Sequence, residues 1–338
     1  MTRRCLILVL ITIILAQIAV AADLTEDQRS EQAELLAWAR TLRYQGRVDQ
    51  AVGVCDMILS ADPSAVDAWN EHGVLALTRG RFVVAQEDFI HALAHSPDNP
   101  MALVGRAHAH QAMGDTESAA LGARKALDRC NYMIDVGTAD AQTWYVRGLA
   151  RLLLKDQRAL QDFATALSID PTHMDARGER AHLFRAQKRL DAAIAELDRA
   201  VEIRPDYAVG YLARGRMKYE SGDLEGSIAD CDRALEVNAE YAQAWHNRGL
   251  VNIEKRDFEA AIHDLTQAIA VSPDYPSAYV YRGQANLAAG NTDAARADWE
   301  KTKELDPQGW AGQAATEMLA KLQQPETEAG PAAADAGG

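Results

Sequence analysis

The sequence predicts an all-α solenoid of repeated helix pairs, and three observations predict it. Large side chains recur every 34 positions, at Trp69 and Leu103 and then at Arg177, Tyr211, Trp245 and Tyr279. Four residues after each stands a small one: Gly73, Ala107, Ala181, Gly215, Gly249 and Gly283. Between these marks the apolar residues fall three and four apart, the spacing that gathers side chains on one face of a helix. A period of this length belongs to units that cannot bury their apolar face alone and must stack on their neighbours. The 338 residues are therefore not read as the two or three globular domains that length alone suggests.

Taken in order, residues 1–21 read as a secretory leader. Arg3 and Arg4 precede an apolar run from Leu6 to Val20, broken only by Thr12 and Gln17, and Ala19-Val20-Ala21 has the small-x-small form of a cleavage site. The run is shorter than the ~20 residues a bilayer span needs, so cleavage is expected, with a retained membrane anchor as its rival. Cys5 stands before the run, which does not place it as a lipoprotein cysteine. Residues 22–31 are expected to be linker.

Eight units follow, at 32–65, 66–99, 100–133, 141–173, 174–207, 208–241, 242–275 and 276–309. In the seventh, Trp245, Gly249 and Ile253 share one face of a first helix, and Lys255-Arg256-Asp257 makes a turn. A second helix then carries Phe258, Ala261, Leu265, Ala268 and Ile269, and Pro273 stops it. Proline closes six units, at Pro63, Pro97, Pro171, Pro205, Pro273 and Pro307; Asn131 and Ala239 stand in the other two. A small residue of the second helix recurs as Ala51, Ala85, Ala119, Ala159, Ala193, Ser227, Ala261 and Ala295. Residues 134–140 are inserted between units three and four, either as a functional loop or as an irregular joint. Unit four is one residue short, and Lys155 to Arg158 is the expected place. Residues 310–322, with Trp310, Ala314, Met318 and Leu322 apolar, read as a helix capping the open end. Residues 323–338 are rich in Ala, Gly, Pro and Glu and are expected to be a disordered tail.

The pattern resembles the tetratricopeptide repeat (TPR), W-x2-L-G-x2-Y followed by A-x3-F and P, in register over residues 32–309. The resemblance implies a right-handed superhelix that binds a protein or peptide partner. It also implies a concave face lined by first-helix side chains. Matched residue by residue, that face holds Met101, Val104, His108, Gln111, Tyr145, Leu149 and Leu152, then His182, Arg185, Leu212, Arg216, Tyr219, His246 and Glu254. This mixture of aromatic and apolar spots with single charges suits an extended peptide or a partner helix. For Leu149, Leu152 and Leu212, packing between units is the competing reading. Where the family's carboxylate-clamp subtype uses lysine and asparagine, this chain has Asn70, Val104, Tyr145, Gly178, Leu212 and His246. Capture of a chaperone tail is therefore not expected.

A net charge of −14 disfavours nucleic acid and anionic lipid as partners; without residues 1–21, which carry two arginines and no acid, it becomes −16. Of the four cysteines, Cys55, Cys130 and Cys231 lie outside the leader; their odd number and spacing fit neither full pairing nor a metal site, and they read as core thiols. Arginine recurs before the small residue at Arg106, Arg147, Arg180, Arg214, Arg248 and Arg282. An acid follows 16 residues on at Glu196, Asp230, Asp264 and Asp298, and 15 on at Asp162. His72 and Asp88 keep the spacing, while Arg106 meets Gly122. Repetition in nearly every unit favours structural pairs over a row of ligand-binding arginines. His91 and His95 share a second-helix face without carboxylates to complete a metal site, and His108 and His110 point to different sides of their helix. No phosphate loop, nucleophile elbow or H-E-x-x-H occurs. The expectation is a non-enzymatic interaction scaffold without metal or cofactor, periplasmic or secreted, in envelope assembly or export. The alternatives are an inner-membrane-anchored accessory subunit of an envelope complex and, last, a glycan binder resting on Tyr145 and Tyr219.

Overall fold

The computed structural model describes residues 25–323; the leader and the tail beyond 323 lie outside them. Seventeen helices and no strand occur among the described residues. The first unit of the chain extends to Ser221 and the second begins at Gly222. In the first unit stand the pairs α1 (Glu26–Tyr44) and α2 (Val48–Ala61), α3 (Val66–Thr78) and α4 (Phe82–His95), α5 (Pro100–Ala112) and α6 (Thr116–Asp135), α7 (Ala141–Leu153) and α8 (Ala159–Ile169), and α9 (Met174–Ala186) and α10 (Leu190–Ile203). α11 (Ala208–Glu220) ends it. The second unit begins with α12 (Leu224–Val237), continues with α13 (Ala242–Glu254) and α14 (Phe258–Val271), then α15 (Pro276–Ala288) and α16 (Thr292–Leu305), and ends on α17 (Trp310–Gln323). Within each unit consecutive helices pack antiparallel in sequence order, as in a TPR solenoid.

Proline sets the ends of the second helices. The residue before it is pushed out of the helical region, and Asp62, Asp170 and Ser272 accordingly have φ of −138°, −125° and −132°. With Asn131 in the proline position α6 runs on to 20 residues, whereas before Ala239 α12 still ends at Val237. The segment 134–140 is thus in part helix: Ile134 and Asp135 complete α6, and Asp140 caps α7 by accepting from the Thr143 amide at 2.8 Å. The shortening of unit four falls within Lys155 to Arg158, the turn before α8. There the Asp156 carboxylate accepts the Arg158 amide at 3.0 Å and holds a local turn in place of the first helical one. At the other end, Thr25 and Gln28 form a reciprocal capping box. Helix therefore begins at Glu26, inside the segment expected to be linker.

The core is made by large second-helix side chains seated on small first-helix residues. The ring of Phe163 lies on Gly148, where a β-carbon would come within 2.5 Å of it, and Phe89 lies between Gly73 and Gly105. In the second unit Leu265 covers Gly249 and Trp299 covers Gly283. All four large side chains are fully buried, each contributing about 2–3 kcal/mol by removal from water. Cys55, Cys130 and Cys231 are buried free thiols, pushed up to about 12 by burial. Of the expected face of α17, Met318 and Leu322 pack on buried Ala295, Trp299 and Ala315, while Trp310 is 57 % exposed.

Candidate functional site

The first helices of the first unit carry the expected groove residues, and the fold separates them into two groups. Val104, Tyr145 and Leu212 are buried, and Leu149 and Leu152 pack against the cluster of Tyr145, Val146 and Phe163. Met101 is half-buried on the same cluster. Solvent reaches His108, Gln111, His182, Arg185, Arg216 and Tyr219. Desolvation nevertheless holds His108 and His182 below the ordinary histidine value, and for His182 the Arg185 and Arg216 charges push the same way. Arg185 is held by Glu220 at 2.6 Å. In the second unit Glu254 is exposed. His246 is buried between the rings of Tyr275 and Tyr281, at 5.0 and 5.5 Å.

Tyr145 is not an open groove aromatic: it is buried against Phe163 and His173. Its ring packs on His173 at 4.8 Å, and beside it the end of α1 reaches the start of α9. Arg43 spans both: Nη1 and Nη2 donate to the two Asp175 oxygens at 2.9 and 3.0 Å, and Nε donates to Glu71 of α3 at 2.6 Å. The Tyr44 hydroxyl donates to Asp175 at 3.0 Å, its ring meets Tyr207 edge-on at 5.4 Å, and Gln45 donates to Asp206 at 2.9 Å. Burial alone would raise the Asp175 carboxyl, but the Arg43 guanidinium outweighs it and brings it down to about 2. One turn on, the Glu179 carboxyl is raised to about 7 by burial and by the Asp175 charge. The first repeat is thus latched to the fifth. Sequence periodicity gives no sign of this latch, because its pairs span 132 and 161 residues, neither a multiple of the repeat, although Asp206 and Tyr207 themselves recur as Asp274 and Tyr275.

The arginine ladder is structural, and it has two rails. Arg147, Arg180, Arg248 and Arg282 each bond the acid 15 or 16 residues on, at Asp162, Glu196, Asp264 and Asp298. A second acceptor lies 16 residues back, on the preceding second helix: Asn131 for Arg147, Asp198 for Arg214, Asp232 for Arg248 and Thr266 for Arg282. His72 repeats the plan with Asp88 and Asp56. An aromatic ring three residues earlier receives the guanidinium face, as at Trp144 and Arg147, 4.2 Å, and at Trp245 and Arg248, 4.7 Å. The 34-periodic large residue itself donates to the carbonyl six residues back, Trp69 to Pro63 and Trp245 to Ala239 at 2.8 Å, and Arg177 to Pro171 at 2.7 Å. Subtracting as well as adding 16 would have found the second rail in the sequence.

Models of the family described as tetratricopeptide repeat match residues 36–85, 212–264 and 253–309, and residues 157–216. No curated protein matches the chain. Among solved structures, one from the APC/C hetero-tetramer Cut9-Hcn1 is similar over 86% of this chain and 55% of its own, at 15% identity and a TM-score of 0.59. MamA is similar over 52% of this chain and 96% of its own, at 22% identity and a TM-score of 0.44. The C-terminal part of a TPR repeat-containing protein from Cytophaga hutchinsonii is similar over 72% and 98%, at 16% identity and a TM-score of 0.46. The likeness to the first is one of fold.

Proposed function

The chain belongs to the tetratricopeptide repeat family, and from that premise we propose that it is a protein-binding scaffold of the cell envelope. It grips an extended peptide or a partner helix on the first-helix side chains of its first unit. The observation that supports this reading is the set His108, His182, Arg216 and Tyr219, all exposed on the first helices α5, α9 and α11. Such a surface offers shallow polar contacts with little reorganisation, the manner in which a groove holds a segment by several weak anchors. Arg216 has no ion pair among the described residues and would meet an acidic residue of the partner. No catalytic step is assigned to the chain. Export is read from Arg3, Arg4 and the run Leu6 to Val20.

The test is cross-linking in the native cells with wild type and an Arg216→Glu, Tyr219→Ala variant, both positions being exposed. A partner captured by wild type and lost at least tenfold in the variant supports the groove. A partner captured equally by both removes the groove from the reading. Sequencing the mature N-terminus separates the two envelope forms: Ala22 or Asp23 first means an exported scaffold, and an intact Met1 means an anchored subunit.

A further inference from the structure

The ladder has one break, and a cleft opens beside it. Arg106 finds no acceptor in either direction, because Gly122 stands 16 residues on and Ile90 16 residues back. Next to it, among α4, α5 and α6, is a cavity of about 500 Å³. Three cations line it, Arg106, Lys125 and Arg129, together with two acids, Asp98 and Asp128, and the apolar side chain of Leu93. None of the three cations has an ion pair or a hydrogen bond among the described residues. The Nε of Arg129 is buried without a partner, its guanidinium lying 5.2 Å over the Tyr132 ring. A buried donor of this kind is costly to leave unmade. In a chain whose net charge is −14, three unpaired cations in one cleft are an exception that asks for a ligand.

We propose that this cleft is a carboxylate-binding site, which takes an acidic side chain of a bound peptide where the other repeats supply their own acid. Three cations against two acids leave a single positive charge, which matches one carboxylate better than a doubly charged phosphate. The planar arginine forks suit a carboxylate geometrically, and Leu93 offers apolar surface to the residue beside it. The site is separate from the first-helix groove and does not depend on it.

The test is calorimetric titration of the whole protein with a terminally blocked peptide of alternating leucine and aspartate. The same peptide with asparagine for aspartate, and inorganic phosphate, are titrated in parallel. Wild type should bind the acidic peptide at least tenfold more tightly than the asparagine one. Arg106→Ala should weaken it at least tenfold. The sharper variant is Ile90→Asp, which places a carboxylate where Asp56, Asp198 and Asp232 serve the other rungs. Ile90 is 46 % exposed, so the substitution leaves the core intact, satisfies Arg106 from within and should abolish binding. Gly122→Asp is avoided, since its β-carbon would lie 3.0 Å from that of Ala107. Absence of binding to wild type, equal binding of both peptides, binding of phosphate alone, or binding that survives Ile90→Asp would each overturn the proposal.

Discussion

The Glu179 carboxyl stands one helical turn from Asp175 on α9, and the two carboxyls share a half-buried site with opposite consequences. Asp175 is paired with Arg43 and titrates near 2, whereas Glu179, without an ion pair among the described residues, titrates near 7 against an ordinary value of 4.5. The folded state therefore holds a proton on Glu179 that the unfolded chain has released between pH 4.5 and 7. Across that window the folded form binds more protons, so stability falls as pH rises and is level above it. Asp175 acts at the acid end: its contribution is present above the ordinary aspartate value of 3.8 and is lost as pH falls towards 2. The first unit should thus be most stable near pH 4–5 as far as this pair decides. Glu179→Gln should flatten the decline between pH 5 and 8 and stabilise the protein at pH 8 by about 1–2 kcal/mol, discounted for partial exposure. Thermal melting of both proteins at pH 5 and 8 reads it, and an unchanged slope in the variant would refute the assignment to Glu179.

Helix pairs are joined by the two-railed arginine more than the single-acid reading implies. Arg248 holds Asp264 of its own repeat at 2.7 Å and Asp232 of the preceding second helix at 2.6 Å. Asp264 is almost wholly buried and keeps only Asn252, at 2.9 Å, once the arginine is gone. Arg248→Ala should cost about 2–3 kcal/mol, since an acid is then left buried without its counter-charge. It should lower the melting midpoint while partner capture is unchanged; normal melting with lost capture would return the ladder to a binding role. These elements show what the sequence makes legible. Helix boundaries and the forward acids could be read because most repeats solve the same packing problem with similar residues at the same spacing. The longer α6 could not be anticipated from Asn131 in the proline position, because with Ala239 in that position α12 ends at its ordinary length. The groove was legible only as a row of positions. Whether Tyr145 is open depends on its packing against Phe163 and His173, which a row of first-helix positions does not reveal.

A stack of repeats ordinarily has only neighbour contacts, so its ends fray first and stability adds up pair by pair. The first unit departs from that rule, because Arg43 and Asp175 bond across 132 residues of sequence and Gln45 and Asp206 across 161. Such a contact closes a long loop, and its loop-closure cost rises only slowly with length. It ties the opening of α1 to the fifth repeat. Amide hydrogen exchange should therefore find α1 and α2 protected to nearly the level of α7 and α8, while α17 exchanges as a plain terminal helix does. Arg43→Ala removes the guanidinium from between Asp175 and Glu71 and leaves two carboxylates without their shared cation. Exchange in α1 and α2 should then rise at least tenfold, with α7, α8 and the second unit unchanged. Uniformly faster exchange throughout the first unit would show instead that its repeats melt together and that Arg43 stabilises all of them. Unchanged exchange in α1 would show that neighbour packing alone, through Leu35, Ala39 and Leu42, holds the first helix in place.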